Sequence, residues 1–71
     1  MITEQIKLVL ALKGFEVDTY SIEEINPEWK FISNLTYDDG SGCDHSSLSN
    51  KSLEQAELNL LKKLKKEGIL K

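Results

Sequence analysis

Nine residues in the middle of the chain alternate between two kinds of side chain. Trp29, Phe31, Ser33, Leu35 and Tyr37 interleave with Lys30, Ile32, Asn34 and Thr36. A period of two sends successive side chains to opposite faces of a sheet. One face of a strand over Trp29 to Tyr37 therefore carries Trp, Phe, Leu and Tyr and reads as a core face, with Trp29 and Tyr37 packed inside. Asp38-Asp39-Gly40-Ser41-Gly42 follows at once. Asp39-Gly40 is a turn signal, because Gly reaches positive φ without a Cβ clash and Asp tolerates it. A strand and a hairpin are thus required, and every other element has to be built around them.

Ahead of the hairpin, Ile2, Ile6, Val9 and Leu10 follow the spacing of one helical face. Leu8 and Leu12 widen that arc past half the circumference, which fits a helix packed on two sides or one that also meets a partner. Thr3 is placed to cap its N-terminus and Gly14 to stop it in the left-handed conformation, with Phe15 folding back. Phe15 to Ile22 reads as an edge strand whose outward residues Glu16 and Asp18 discourage pairing. Glu23 to Pro27 is a connection, since Pro27 lacks an amide hydrogen and biases Asn26 toward extended geometry. After the turn, Gly42 to Leu48 has little apolar alternation. It is assigned as a third strand because the tight turn sends the chain back along its neighbour. Leu53, Ala56, Leu60 and Leu64 form the apolar stripe of a last helix, with Ser49, Asn50 and Ser52 as competing caps. Ser52 with Gln55 matches the capping-box pattern, and Gly68 stops the helix so that Ile69 and Leu70 fold back.

The expected fold is therefore α+β: a three-stranded antiparallel sheet with two helices on one face, in the order α-β-β-β-α, as one domain over residues 1–71. The runner-up keeps the same elements with Cys43 to Leu48 as a loop. A two-stranded sheet of that kind would need a homodimer for stability. A chain of 71 residues buries only about 60% of its unfolded surface, so its stability margin is small.

That order resembles the double-stranded-RNA-binding domain. The aromatic-rich strand Trp29-Lys30-Phe31-Ile32 leads through the Asp-Gly turn to a short third strand. Ser49-Asn50-Lys51-Ser52-Leu53-Glu54-Gln55-Ala56 then opens an amphipathic helix, similar in position and cap to the family's Ser-Lys-Lys-x-Ala-x-x-x-Ala helix start. The resemblance implies RNA contacts from basic residues at that helix start and from the loop between the first two strands. Only Lys51 matches the first set, and Glu23 and Glu24 in the loop would repel phosphate. Phosphate neutralisation supplies most of such affinity, so the resemblance carries the fold over and leaves the activity behind.

Charge directs the functional expectation. The net charge is -3, but residues 1 to 50 carry -6 and residues 51 to 71 carry +3. Between positions 14 and 46 a single Lys faces eight acids. There is no Arg, the residue best suited to bidentate phosphate contacts. By alternation Tyr20 and Ile32 share the sheet face away from the helices with Glu16, Asp18, Asn34 and Thr36, near Lys30. A small apolar spot rimmed by charge is a docking or dimerisation surface. Glu16, Asp18, Tyr20, Lys30, Ile32 and Asn34 are accordingly the candidate protein-binding residues, and a basic protein is the expected partner. A small acidic accessory or inhibitor protein, of the kind phages and mobile elements carry, fits this composition. The alternative is nucleic-acid binding through Lys51, Lys62, Lys63 and Lys66 on and before the last helix. Against it stands a solvated face whose cations complement the helix dipole.

Reactive side chains gather only at Asp38, Asp39, Cys43, Asp44 and His45. Cys43 and His45, two apart, would share a strand face and could pair as thiolate and imidazole or hold a metal. Two Cys or His ligands fall short of the four a structural zinc site wants, and the residues after Asp38 do not follow a calcium loop. Gly40-Ser41-Gly42 is too short for a phosphate loop. No catalysis, cofactor or metal is expected. The lone Cys43 fits a reducing compartment, the first residues lack the pattern of a signal peptide, and no apolar run approaches the ~20 residues of a membrane span. The expected location is cytoplasmic.

Overall fold

The computed structural model describes residues 2–70. Its central strand β2 (Phe31–Tyr37) is paired on both sides, by β1 (Phe15–Ser21) and β3 (Cys43–Ser49). Both pairings are antiparallel. Helix α1 (Glu4–Leu12) precedes the sheet and α2 (Leu53–Lys66) follows it, giving an α+β fold in the order α-β-β-β-α. No helix of the described residues is long and apolar enough to cross a membrane.

The helix ends follow from local chemistry. The Ile6 N–H donates to Thr3 Oγ1 at 3.3 Å, and the Gln55 N–H to Ser52 Oγ at 3.0 Å. Each cap satisfies an amide that the first helical turn leaves without a partner. The reciprocal half of the capping box is missing, because Gln55 Nε2 donates along the helix to Asn59 Oδ1. Gly68, at φ +80°, ends α2. The Ile69 and Leu70 N–H groups then return to the Leu64 carbonyl at 3.0 and 3.2 Å, and this reversal delivers Leu70 to the core.

The helices share one sheet face. Leu10 of α1, Leu35 of β2 and Leu60 and Leu64 of α2 are fully buried in one cluster with Ile2 and Leu70. Helix α2 spans all three strands, whereas α1 leans only on β1. Burying each leucine contributes about 1.5–3 kcal/mol. The other half of the interface between α2 and the sheet is polar. Thr19 Oγ1 lies 2.9 Å from Ser33 Oγ and donates to Glu57 Oε2 at 3.1 Å, and Ser33 is fully buried. The small hydroxyl residues let the helix come close, and their mutual bonds keep the buried oxygens satisfied.

Several expectations require correction. Strand β2 starts at Phe31, so Trp29 lies outside the sheet and 42% of it is exposed. Asn26 Oδ1 accepts from the N–H groups of Glu28 and Trp29, closing a turn around Pro27 that uses up the residues before the strand. Tyr37 does sit on the inner side, against Phe15 with ring centroids 5.4 Å apart, but at the strand end it stays exposed. Ile22 falls after β1, its carbonyl accepting from Ile25 and Asn26 in the next turn. Helix α1 is not packed on two sides: Leu8 and Leu12 stand in solvent, Leu12 at 86% exposure.

Candidate functional site

The face of the sheet opposite the helices carries the even-numbered residues of β1 and β2. Register brings Tyr20, Ile32 and Leu48 into one row across the three strands, since Tyr20 opposes Ile32 and Ile32 opposes Leu48. Tyr20 is 44% and Leu48 39% exposed, with Ile32 half-buried between them. The next row is Asp18, Asn34 and Ser46, followed by Glu16, Thr36 and Cys43. Asn34 Nδ2 donates to Tyr20 Oη at 3.3 Å, which holds the ring diagonally over the sheet. Thr36 Oγ1 donates to the Glu16 carbonyl at 3.4 Å. The face thus has an apolar row at one end and a polar, acidic field over the rest.

Five of the six predicted face residues, Glu16, Asp18, Tyr20, Ile32 and Asn34, come together on this surface. Lys30, just before β2, forms an ion pair with Glu23 at 3.9 Å in the adjoining loop. Among the described residues Glu16 and Asp18 have no ion-pair partner and remain exposed. Their charges therefore project into solvent. Leu48 completes the apolar row, and alternation within β2 alone did not indicate it. Its neighbours Ser47 and Ser49 mark it as the one apolar residue of a polar strand, but its face depends on the register of the hairpin.

That register is set by a β-bulge. Leu35 opposes His45, whereas Thr36 opposes Cys43, so Asp44 is an extra residue in β3. The bulge puts Cys43 on the open face and His45 on the helix side. Spacing by two had implied a shared face, so no thiol–imidazole pair forms. The Cys43 Sγ is instead within 3.2 Å of the His45 carbonyl. Asp44 bridges two side chains, accepting from Tyr37 Oη at 3.0 Å and lying 2.8 Å from His45 Nδ1. The bond from Tyr37 to the Asp44 carboxylate, reinforced by that carboxylate's charge, pushes the phenol's pKa up. In the turn, the Ser41 hydroxyl and then its N–H, which donates at 2.8 Å, hold the Asp39 carboxyl below the usual carboxylate range. These contacts lock the hairpin.

The four lysines of the alternative site do not form one cluster. Lys51 precedes α2, and Lys62 lies about 14 Å along the helix axis from its first residue, Leu53, at ~1.5 Å per residue. Lys63 turns toward the sheet, its Nζ donating to the Ser46 carbonyl at 2.9 Å. Lys62 and Lys66 remain exposed one turn apart at the C-terminal end, where cations complement the helix dipole.

The fold and this face define a small α+β domain with one sheet surface covered by helices and the other open and acidic. No protein-family model, curated protein or solved structure matches the chain.

Proposed function

We propose that the protein is a non-enzymatic interaction module that binds a basic protein partner through the open sheet face. The observation that carries this reading is the row Tyr20, Ile32 and Leu48 beside the unpaired carboxylates Glu16 and Asp18. An apolar strip contributes affinity when a partner covers it, and the acidic field steers and selects a partner of opposite charge. An accessory or inhibitory role for a small acidic protein follows naturally from such a surface. The exposed, unpaired Cys43 supports work in a reducing cytoplasm. The likeness to double-stranded-RNA-binding domains remains one of element order in this reading, because Glu23 and Glu24 occupy the loop that would approach phosphate.

The test is affinity purification from the native host with three baits: the wild type, Ile32→Glu and Asp18→Lys. A protein retained by the wild type, lost from Ile32→Glu and weakened by Asp18→Lys or by added salt supports the reading. Retention of the same protein by all three baits would falsify it.

A further inference from the structure

The two edges of the sheet differ in how their main-chain groups are used. On β3 the carbonyls of Ser46 and Leu48 point away from β2, and both are taken. Lys63 Nζ donates to Ser46 at 2.9 Å and Asn59 Nδ2 to Leu48 at 3.1 Å, two side chains one turn apart on α2. Two outward acceptors of this edge are therefore already occupied from α2, which discourages a further strand there.

The edge at β1 is different. The Ile22 N–H donates to the Lys30 carbonyl and the Asp38 N–H to the Gly14 carbonyl, so the even-numbered residues bond to β2. In an antiparallel ladder alternate residues turn their N–H and C=O groups outward. These are Phe15, Val17, Thr19 and Ser21. Among the described residues neither a side chain nor a loop bonds those outward groups. Helix α1 lies beside β1, and a groove of about 400 Å³ wraps the strand there, lined by Lys7 and Ala11 of α1, Phe15 and Val17 on the inner side, and Glu16, Asp18 and Thr36 on the open side.

Resting on the function proposed above, we infer that this edge takes up an extended segment of the basic partner as a fourth strand. Main-chain bonds to Val17, Thr19 and Ser21 supply register, as in other cases of strand addition. Side-chain alternation then dictates the pattern of the incoming segment. Outward positions carry Lys or Arg beside Glu16 and Asp18. Inward positions are apolar, because they enter the groove over Ala11, Phe15 and Val17, where the Lys7 ammonium disfavours another cation. Charge favours a basic occupant over a second copy of the chain: pairing β1 with itself about Val17 sets Glu16 against Asp18, and like charges directly opposite destabilise a strand pair.

The probe is a blocked octapeptide of alternating Lys and Val. Two controls accompany it: the same peptide with Glu for Lys, and the Lys–Val peptide N-methylated at alternate amides in each of the two phases. Backbone amide exchange is followed by NMR at low ionic strength. At saturation the Lys–Val peptide is expected to slow exchange about tenfold at Val17, Thr19 and Ser21 while leaving Asp18 and Tyr20, already bonded to β2, unchanged. The Glu peptide and one N-methylated phase are expected to give no slowing. If the Lys–Val peptide shifts only Tyr20, Ile32 and Leu48, and both N-methylated phases bind equally well, the edge proposal is overturned while the face reading stands. Absence of any binding by the Lys–Val peptide also overturns the edge proposal, and the purification with face variants judges the face reading separately.

Discussion

The hydroxyl pair beneath α2 supports a quantitative test of which sheet face is inside. Ser33 is fully buried, its only side-chain hydrogen bond among the described residues is to Thr19 at 2.9 Å, and Thr19 passes its own proton to Glu57 at 3.1 Å. Ser33→Ala removes one neutral hydrogen bond and creates little space, a cost of about 1 kcal/mol. Thr19→Val keeps the shape but strands the buried Ser33 hydroxyl and the Glu57 carboxylate. An unsatisfied buried group costs roughly 1–3 kcal/mol, so this variant is expected to lose about 2 kcal/mol. In the double variant the stranded hydroxyl no longer exists. Its loss should be about 2 kcal/mol, which is about 1 kcal/mol less than the singles combined. For a chain of this size unfolding carries an entropy of about 0.15 kcal/mol/K, so each kcal/mol moves Tm by about 7 °C. Urea unfolding followed by circular dichroism gives the three differences at equal m-values. Additivity within about 0.4 kcal/mol would show that the two hydroxyls do not share a buried bond. A loss below about 0.5 kcal/mol for both singles would mean that the face is solvated and the register reversed.

Three further outcomes follow from named contacts. Leu10→Ala, at a fully buried position, should cost about 2–5 kcal/mol, whereas Leu12→Ala, two residues on and 86% exposed, should change stability by less than about 0.5 kcal/mol in the same urea assay. The phenol of Tyr37 should titrate above its ordinary pKa of ~10, and Asp44→Asn should bring it down, as read by ultraviolet absorbance against Tyr37→Phe. Because the folded pKa is raised, this bond's contribution to stability is complete below pH ~10 and fades as pH rises through the raised value. Replacing Asn59 and Lys63 together with Ala frees the Ser46 and Leu48 carbonyls, so the variant should associate at concentrations where the wild type sediments unchanged, and unaltered sedimentation would refute the edge-capping role.

Much of the architecture is legible in the sequence, and for reasons that are local. The Thr3 and Ser52 caps, the Gly14 and Gly68 stops and the Ala56, Leu60, Leu64 stripe each depend on residues within a turn or two of one another, whereas Leu53, expected on that stripe, lies in the first turn of α2 and stays 44% exposed. The alternation in β2 assigned Ser33 and Leu35 inward and Ile32 and Asn34 outward, and both faces are found there. What failed was what depends on distant chain. Trp29 obeys the alternation but is drawn into the Asn26 turn. Leu8 and Leu12 belong to the apolar arc of α1, yet that helix packs through its Leu10 side and nothing covers the other.

The candidate surface divides in the same way. By itself the sequence determined that Glu16, Asp18, Tyr20, Ile32 and Asn34 lie on one side of a sheet, because side-chain direction along a strand is a property of the backbone. It determined the acidic charge of that side as well. Tertiary structure alone decided what lies beside them. A two-residue turn at Asp39-Gly40 without a bulge would set Ile32 opposite Ser47, but the extra residue Asp44 shifts the register by one and sets it opposite Leu48. The same shift parts Cys43 from His45. Tertiary structure also decided which edge has its carbonyls capped, since Lys63 and Asn59 reach those of β3 from a helix many residues away. Pairing across strands and over edges is a relation between segments, and no segment carries it alone.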